Sequence, residues 1–256
     1  AYDDKGQPTK AAIGFARGKG VDVADLIRKQ TPKGEVVCAQ VENTGRPTSL
    51  LLNEYLPQLI NEIPFQKKMR WGNKARPFAR PLHWVAAVFD GQALEFEFDG
   101  VSSGVFSRGH RFLNPEKFKI ESLESYLKDC EKHFLMVDPA VRKTTILKQV
   151  QALAEQAGGH IKEDEDLLNL VNYLVEYPVA IKGDFDPGFL ELPKELLVIT
   201  MKYHQKYFPV WDKEENLLPC FITVSNMPAT EGNEIKKGNE RVLRARLEDA
   251  RFFYDE

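Results

Sequence analysis

The stretch FQKKMRWGNKARPFARP, residues 65–81, holds six cationic residues, Lys67, Lys68, Arg70, Lys74, Arg76 and Arg80, and no acidic one. Phe65, Trp71 and Phe78 are interleaved with them. Cations at this density suit phosphate contacts, and six such contacts give a log–log salt slope of about −5. The rings are suited to stacking on bases or on guanidinium planes. A solvated basic loop accounts for the run equally well. A second basic cluster, SRGHRF, sets Arg108, His110 and Arg111 around Gly109. A third stretch, MKYHQKYFPVWD, packs Tyr203, Tyr207, Phe208 and Trp211 around Lys202, His204 and Lys206.

Other chemistries find no footing. GFARGKG separates Gly14 from Gly18 by three residues rather than the four of a phosphate loop, and Gly20 stands where Ser or Thr would ligate magnesium. It reads as a helix end. No GxSxG and no HExxH occurs, and the five His residues show no ligand spacing. The acidic run EDED, residues 163–166, precedes a helix and favours its dipole from solvent. Cys38, Cys130 and Cys220 are far apart without a CxxC, so they read as reduced packing thiols. No catalytic set and no metal site is legible.

The elements that position these residues follow from periodicity. With 256 residues, 43% hydrophobic and 29% charged, the chain buries roughly 70–75% of its unfolded surface on folding. Its net charge of −3 leaves attraction to a polyanion to local patches. The absence of an apolar run near ~18 residues or a signal peptide implies a cytoplasmic protein. The chain starts at Ala1 and stops at Glu256 inside a helical run, so it reads as a piece of something longer.

Two short helices are expected in the first thirty residues, separated at Gly18 and Gly20. A strand over GEVVCAQVENTG follows, then an amphipathic helix with Leu52, Leu56, Ile60 and Ile63 on one stripe. From Trp71 to Phe112 sheet is expected, with a hairpin turning at Asp90 and Gly91. Asp138 followed by Pro139 opens a helix striped by Ile146, Val150, Leu153 and Ala157, with Gly158 and Gly159 as its stop. LLNLVNYLVEY and PKELLVITM are further helices, and PVAIKGDF and LLPCFITVSN are strands.

The last helix should turn Leu243, Leu247, Ala250 and Tyr254 inward. There Arg244 and Arg251 fall on the solvated flank beside Glu248. Arg246 falls near Asn239, Leu243 and Ala250, so it should be partly buried and need an ion pair or a ligand. In MKYHQKYFPVWD a helix should end near His204 and a strand begin near Gln205. Gln205, Tyr207 and Pro209 would then face one way and Lys206, Phe208 and Val210 the other. The aromatics read mainly as core, and His204 and Gln205 as the residues with a polar task. The class is α/β (α+β), a mixed sheet with surrounding helices. The expected organisation is a segment 1–64 packed on a module 65–256.

Four stretches in this order, MRWG at Met69, RGHRF at Arg108, MKYHQKYFPV at Met201 and GNERVLRARLEDARFF at Gly238, together resemble one family. It is the β subunit of the bacterial tetrameric glycyl-tRNA synthetase. LVEYPVAIKGDFDPGFLELPKELL matches its pattern too. The family's β subunit is longer, so the resemblance implies an N-terminal to central fragment. It also implies a module like the editing-type module of the phenylalanyl-tRNA synthetase large subunit.

The family ligates glycine to its tRNA. ATP and magnesium are used by the α subunit, while β holds the tRNA in an α2β2 heterotetramer; no cofactor is implied for this fragment, which alone is not catalytic. The family's polar positions map to Arg70, Arg80, His110, Arg111, His204, Gln205, Asn239 and Arg246. With Lys67, Lys68, Lys74, Arg76, Arg108 and Lys206 they are the candidate contacts for tRNA or the α subunit. The alternatives are a docking module for the α subunit that touches no RNA, and an editing-type hydrolase.

Overall fold

The computed structural model describes residues 2–3, 6–32, 34–42, 44–73, 76–228 and 233–255, so Lys74 lies outside the described residues. The chain divides into two compact units, residues 1–56 and 57–256.

In the first unit, helix α1, Lys10–Lys19, buries Ala12 and Ala16. These small side chains form a core with Leu26, bordered by Val21, Val23, Val37 and Ala39. The second N-terminal helix expected from the sequence is not formed. A single 3-10 turn, Val23–Asp25, leads into strand β1, Leu26–Thr31, which pairs antiparallel with β2, Gly34–Ala39. A short isolated helix is marginal, and a strand partner a few residues away outcompetes it. Helix α2, Thr48–Glu62, forms as expected and runs across the division between the units. Its stripe is only half-buried at Leu52, Leu56 and Ile60, and Ile63 is exposed.

The second unit opens with short strands: β3, Val85–Ala86; β4, Val88–Phe89; β5, Gln92–Ala93; β6, Glu97–Phe98; β7, Val101–Gly104; β8, Phe106–Arg108; and β9, Lys117–Lys119. The β4–β5 hairpin turns at Asp90 and Gly91, with φ of 50° and 72°. Two left-handed residues in a two-residue turn match the twist of the strands. β7 pairs parallel with β3 and antiparallel with β6, giving a small mixed sheet.

Helix α3, Leu123–Lys132, starts on a Ser122–Ser125 capping box. Helix α4, Pro139–Gln156, starts on Asp138, whose carboxylate accepts from the N–H groups of Ala140 and Val141 at 2.7 and 3.3 Å. Helix α5 is Glu165–Asn172, β10 is Val179–Asp184 and α6 is Lys194–Ile199. β11 is Phe208–Trp211, β12 is Leu217–Ser225 and α7 is Glu234–Asp255. The sheet order is β10-β12-β11, antiparallel throughout.

This sheet is buried on both faces. Phe208, Val210, Cys220 and Ile222 pack with Ile146, Val150 and Ala154 of α4 and with Leu168 and Val171 of α5. Tyr207, Trp211, Leu217 and Phe221 pack on the other side with Leu197, Met201, Leu243 and Leu247. From Tyr207 to Trp211 the alternation read in MKYHQKYFPVWD therefore holds, with each parity feeding a different core, but Gln205 and Lys206 fall outside it: the helical turn runs through Gln205, Lys206 is left-handed, and the strand starts at Phe208. The Tyr207 and Phe221 rings stack with centroids 4.4 Å apart. Tyr203 alone among that stretch's aromatics is exposed. The molecule is of the mixed α/β class, built from several small sheets and, among the described residues, seven α-helices. No helix among the described residues is long and apolar enough to cross a membrane.

Candidate nucleic-acid interface

The basic run folds back on itself. Met69 and Phe78 exchange backbone hydrogen bonds of 2.8 and 3.1 Å, closing a loop over the residues between them. Phe78 meets Phe65 edge-on at 4.8 Å and buried Phe98 at 6.2 Å. These two rings anchor the loop from within and are not presented for stacking on bases. The charges point outward: Lys67, Lys68, Arg70, Arg76 and Arg80 are exposed. Arg76 lies over the Phe98 ring at 5.5 Å, and Arg80 Nη1 donates to the Ala79 carbonyl at 3.1 Å. Among the described residues, none of the five meets a carboxylate.

The second basic cluster sits on the β8–β9 hairpin. Its register places Phe106 opposite Lys119, Ser107 opposite Phe118 and Arg108 opposite Lys117. By strand alternation Phe118 turns into the core while Phe106, Arg108, Lys117 and Lys119 share the other face. Two like charges directly across a ladder are unfavourable, and among the described residues neither Arg108 nor Lys117 is offset by a carboxylate. Arg108 lies 5.8 Å from the ring centroid of Trp84, which is 45% exposed.

The turn beyond β8 is built around His110, fully buried. Its Nδ1 accepts from the N–H groups of Phe112 and Leu113, both at 3.3 Å, so the ring proton resides on Nε2. The His110 N–H donates to the His133 carbonyl at 2.9 Å. Gly109 is needed because a Cβ there would fall 2.1 Å from the Asn114 carbonyl oxygen. His110 thus braces the loop that carries exposed Arg111, whose guanidinium lies 5.8 Å from the Phe112 ring centroid.

Beside this hairpin lies a cleft of about 930 Å³. Its lining includes Trp84, Phe106, Arg108, Arg111 and Lys117 together with Tyr126, Leu135, Met136, Val137, Arg142 and Glu176. Arg142 is 8% exposed. Its Nε donates to the Asn172 carbonyl and side-chain oxygen at 2.8 and 3.1 Å, and Nη1 donates to the Met136 carbonyl. No carboxylate pairs with it among the described residues. Tyr126 lines the cleft; burial pushes its phenol up to about 12 and the Cys130 thiol up as well, so neither is an activated nucleophile.

Sequence reasoning did not include Arg142, Trp84 or Lys117 among the candidates. Arg142 was legible in principle, since it stands four residues before Ile146 on the stripe continued by Val150 and Ala154.

The remaining candidates lie elsewhere. α6 runs without a break into a π-helical turn, Thr200–Gln205, which ends on Lys206 in the left-handed region at φ 63°. His204 is exposed, and Gln205 and Lys206 are half-buried; the Lys206 ammonium donates to the Tyr203 carbonyl. Asn239 accepts from the Tyr207 hydroxyl at 2.7 Å and donates to the Ile235 carbonyl at 2.7 Å, bracing α7 against the strand.

Arg246 is exposed and has no partner among the described residues, contrary to expectation. Arg251, expected in solvent, is half-buried, donates to the Gly188 carbonyl at 2.6 Å and lies 4.5 Å from the Phe189 ring centroid. Tyr254 is likewise turned outward, 57% exposed. The buried stripe of α7 is set by Leu243 and Leu247 and leans toward Arg251. At about 100° per residue this leaves Arg246 outside it.

A family model described as glycyl-tRNA synthetase beta subunit matches residues 1–256. The chain belongs to the glycyl-tRNA synthetase beta subunit family. It is similar along its whole length to glycine–tRNA ligase beta subunits of Geobacter sp. (strain M21), 51% identical, and of Geobacter sulfurreducens, 49% identical. It spans 37% of the length of these relatives. Among its described residues no group of His, Cys, Asp or Glu is arranged to hold a metal ion.

Proposed function

We propose that this chain is the tRNA-handling and assembly portion of a cytoplasmic glycine–tRNA ligase, working beside an α subunit that activates glycine with ATP and magnesium. The observation that carries this reading is the set of exposed cations from Lys67 to Lys117 that find no carboxylate among the described residues. A surface that spends no acidic groups on its own cations keeps them for phosphates. The test is binding of the chain to glycine tRNA across a salt series, with Lys67, Arg70, Arg76 and Arg80 changed to Ala. Loss of affinity together with a smaller salt slope supports the reading. Weak binding indifferent to the changes refutes it.

A second reading, a docking module for the α subunit without RNA contact, is favoured by one observation. Leu170, Tyr173 and Leu174, at the end of α5, are 42, 72 and 63% exposed. Charged substitutions there that abolish pull-down of the α subunit while leaving tRNA binding intact support that function for this face. For an editing-type hydrolase, deacylation of mischarged tRNA above background is the decisive result.

A further inference from the structure

The β8–β9 cleft combines three features whose costs are met together by one kind of ligand. Arg142 is a guanidinium more than nine-tenths buried, held at Nε and at Nη1 by three oxygens from Asn172 and Met136. Carbonyl and amide oxygens orient a guanidinium without neutralising it, and a buried charge without an opposite charge is unfavourable. Its Nη2 has no acceptor among the described residues, although the side chain lines the cleft. Arg108 and Lys117, register partners across the hairpin, add two more cations to the same space. The one carboxylate in the lining, Glu176, pairs with none of the three. At the cleft's edge stands Trp84, 45% exposed, with Arg108 near its face.

We propose that this cleft binds a single unstacked nucleotide, its phosphate on Arg142, Arg108 and Lys117 and its base on the Trp84 ring. A guanidinium whose Nη2 is left without an acceptor can donate to a phosphate oxygen, and an exposed indole gives a sequence-tolerant stacking platform. The cleft's volume of about 930 Å³ lies within the range of small-molecule sites. The proposal rests on the RNA-handling reading but uses different residues from the basic loop. The same chemistry is offered by a free mononucleotide and by a nucleotide within an RNA strand.

The experiment is fluorescence anisotropy of a labelled single-stranded pentaribonucleotide with the chain, competed by a nucleoside 5′-monophosphate, the nucleoside and inorganic phosphate. The monophosphate should compete at least ten-fold better than either of its parts. A fluorescently labelled nucleoside 5′-monophosphate serves as a second, direct probe: its binding without pentanucleotide binding assigns the site to free nucleotides. Pentanucleotide binding alone assigns it to RNA.

Trp84→Ala and Lys117→Glu, at exposed positions, should each weaken binding ten-fold or more with unchanged melting. Arg142→Gln should do so as well, and Arg142→Lys should recover part of the loss. Unchanged affinity in Trp84→Ala and Lys117→Glu overturns the proposal, as does binding of neither probe or equal competition by phosphate alone. The Lys67, Arg70, Arg76 and Arg80 variant should keep monophosphate binding while losing tRNA. If it keeps both, the basic-loop reading falls and the cleft stands; if the cleft variants alone are silent, the reverse holds.

Discussion

Between residues 67 and 117 no described Lys or Arg side chain meets a carboxylate, whereas Lys143, Lys162, Lys182, Lys202 and Lys236 each do. The second group ties elements of the fold to one another. Lys143 of α4 reaches Glu165 of α5, Lys202 reaches Asp164, and Lys236 of α7 reaches Asp184 of β10 at 2.8 Å. The first group makes no such ion pair among the described residues, and even sets Arg108 against Lys117. Charge in the second group serves cohesion; among the described residues, that in the first is left without an opposite charge. The apolar residues divide in the same way: Phe221 is fully buried at the centre of the paired region, while Phe106 and Trp84 stand exposed in the unpaired one.

The largest effect that tests this division is Phe221→Ala, expected to cost about 3–5 kcal/mol in denaturant unfolding. Phe106→Ala should stay within about 0.5 kcal/mol. Comparable losses at both positions would erase the contrast. Next in size, changing Lys67, Arg70, Arg76 and Arg80 together to Ala should lower the salt slope of tRNA binding by about 3–4, with the melting temperature unmoved. A large fall in stability would mean that these cations serve the fold after all.

Asp184→Asn removes the charge that Lys182 and Lys236 share and should cost about 1 kcal/mol, discounted for its partial exposure, measured as a shift of the urea midpoint. The same group sets an acid limb. Burial opposes ionisation of Asp184, yet the two lysines together hold its carboxyl below the ordinary range, and Lys202 with the Leu167 N–H does the same for Asp164. A carboxyl lowered in the folded state contributes stability that is present above the unfolded value of about 4 and is lost as pH falls through the folded one. Melting temperature should therefore hold from neutral pH to about 5 and fall below about 4, less steeply in Lys202→Ala and Lys236→Ala. The smallest effect is Lys206→Gly. Relief of a left-handed non-glycine residue should raise stability by up to about 1 kcal/mol, and weaker partner binding in the same variant would show what the lysine is retained for.

The two regions also differed in how much of them could be read from sequence. The Asp138 cap, the Asp90–Gly91 turn and the alternation through Tyr207 to Trp211 are local signals, and each appears in the structure as expected. β1 was misread as helix because its pairing with β2 is a tertiary fact that outweighs local preference. Arg246 and Arg251 exchanged roles because an apolar stripe's centre depends on what it packs against. For α7 that is the layer containing Phe189, Leu197 and Met201. The cleft was not legible at all as a site: Arg108, Lys117 and Arg142 are brought to one space by the hairpin and by α4, and no spacing in the sequence joins them.

β12 lies between β10 and β11 and sends Leu217 and Phe221 to one core and Cys220 and Ile222 to the other. Neither core can come apart without baring one side of this strand, so the two should open as a single cooperative body. Its central amides should then be the slowest in the unit to exchange with deuterium, opening only with global unfolding, while those of the basic loop exchange through small local excursions.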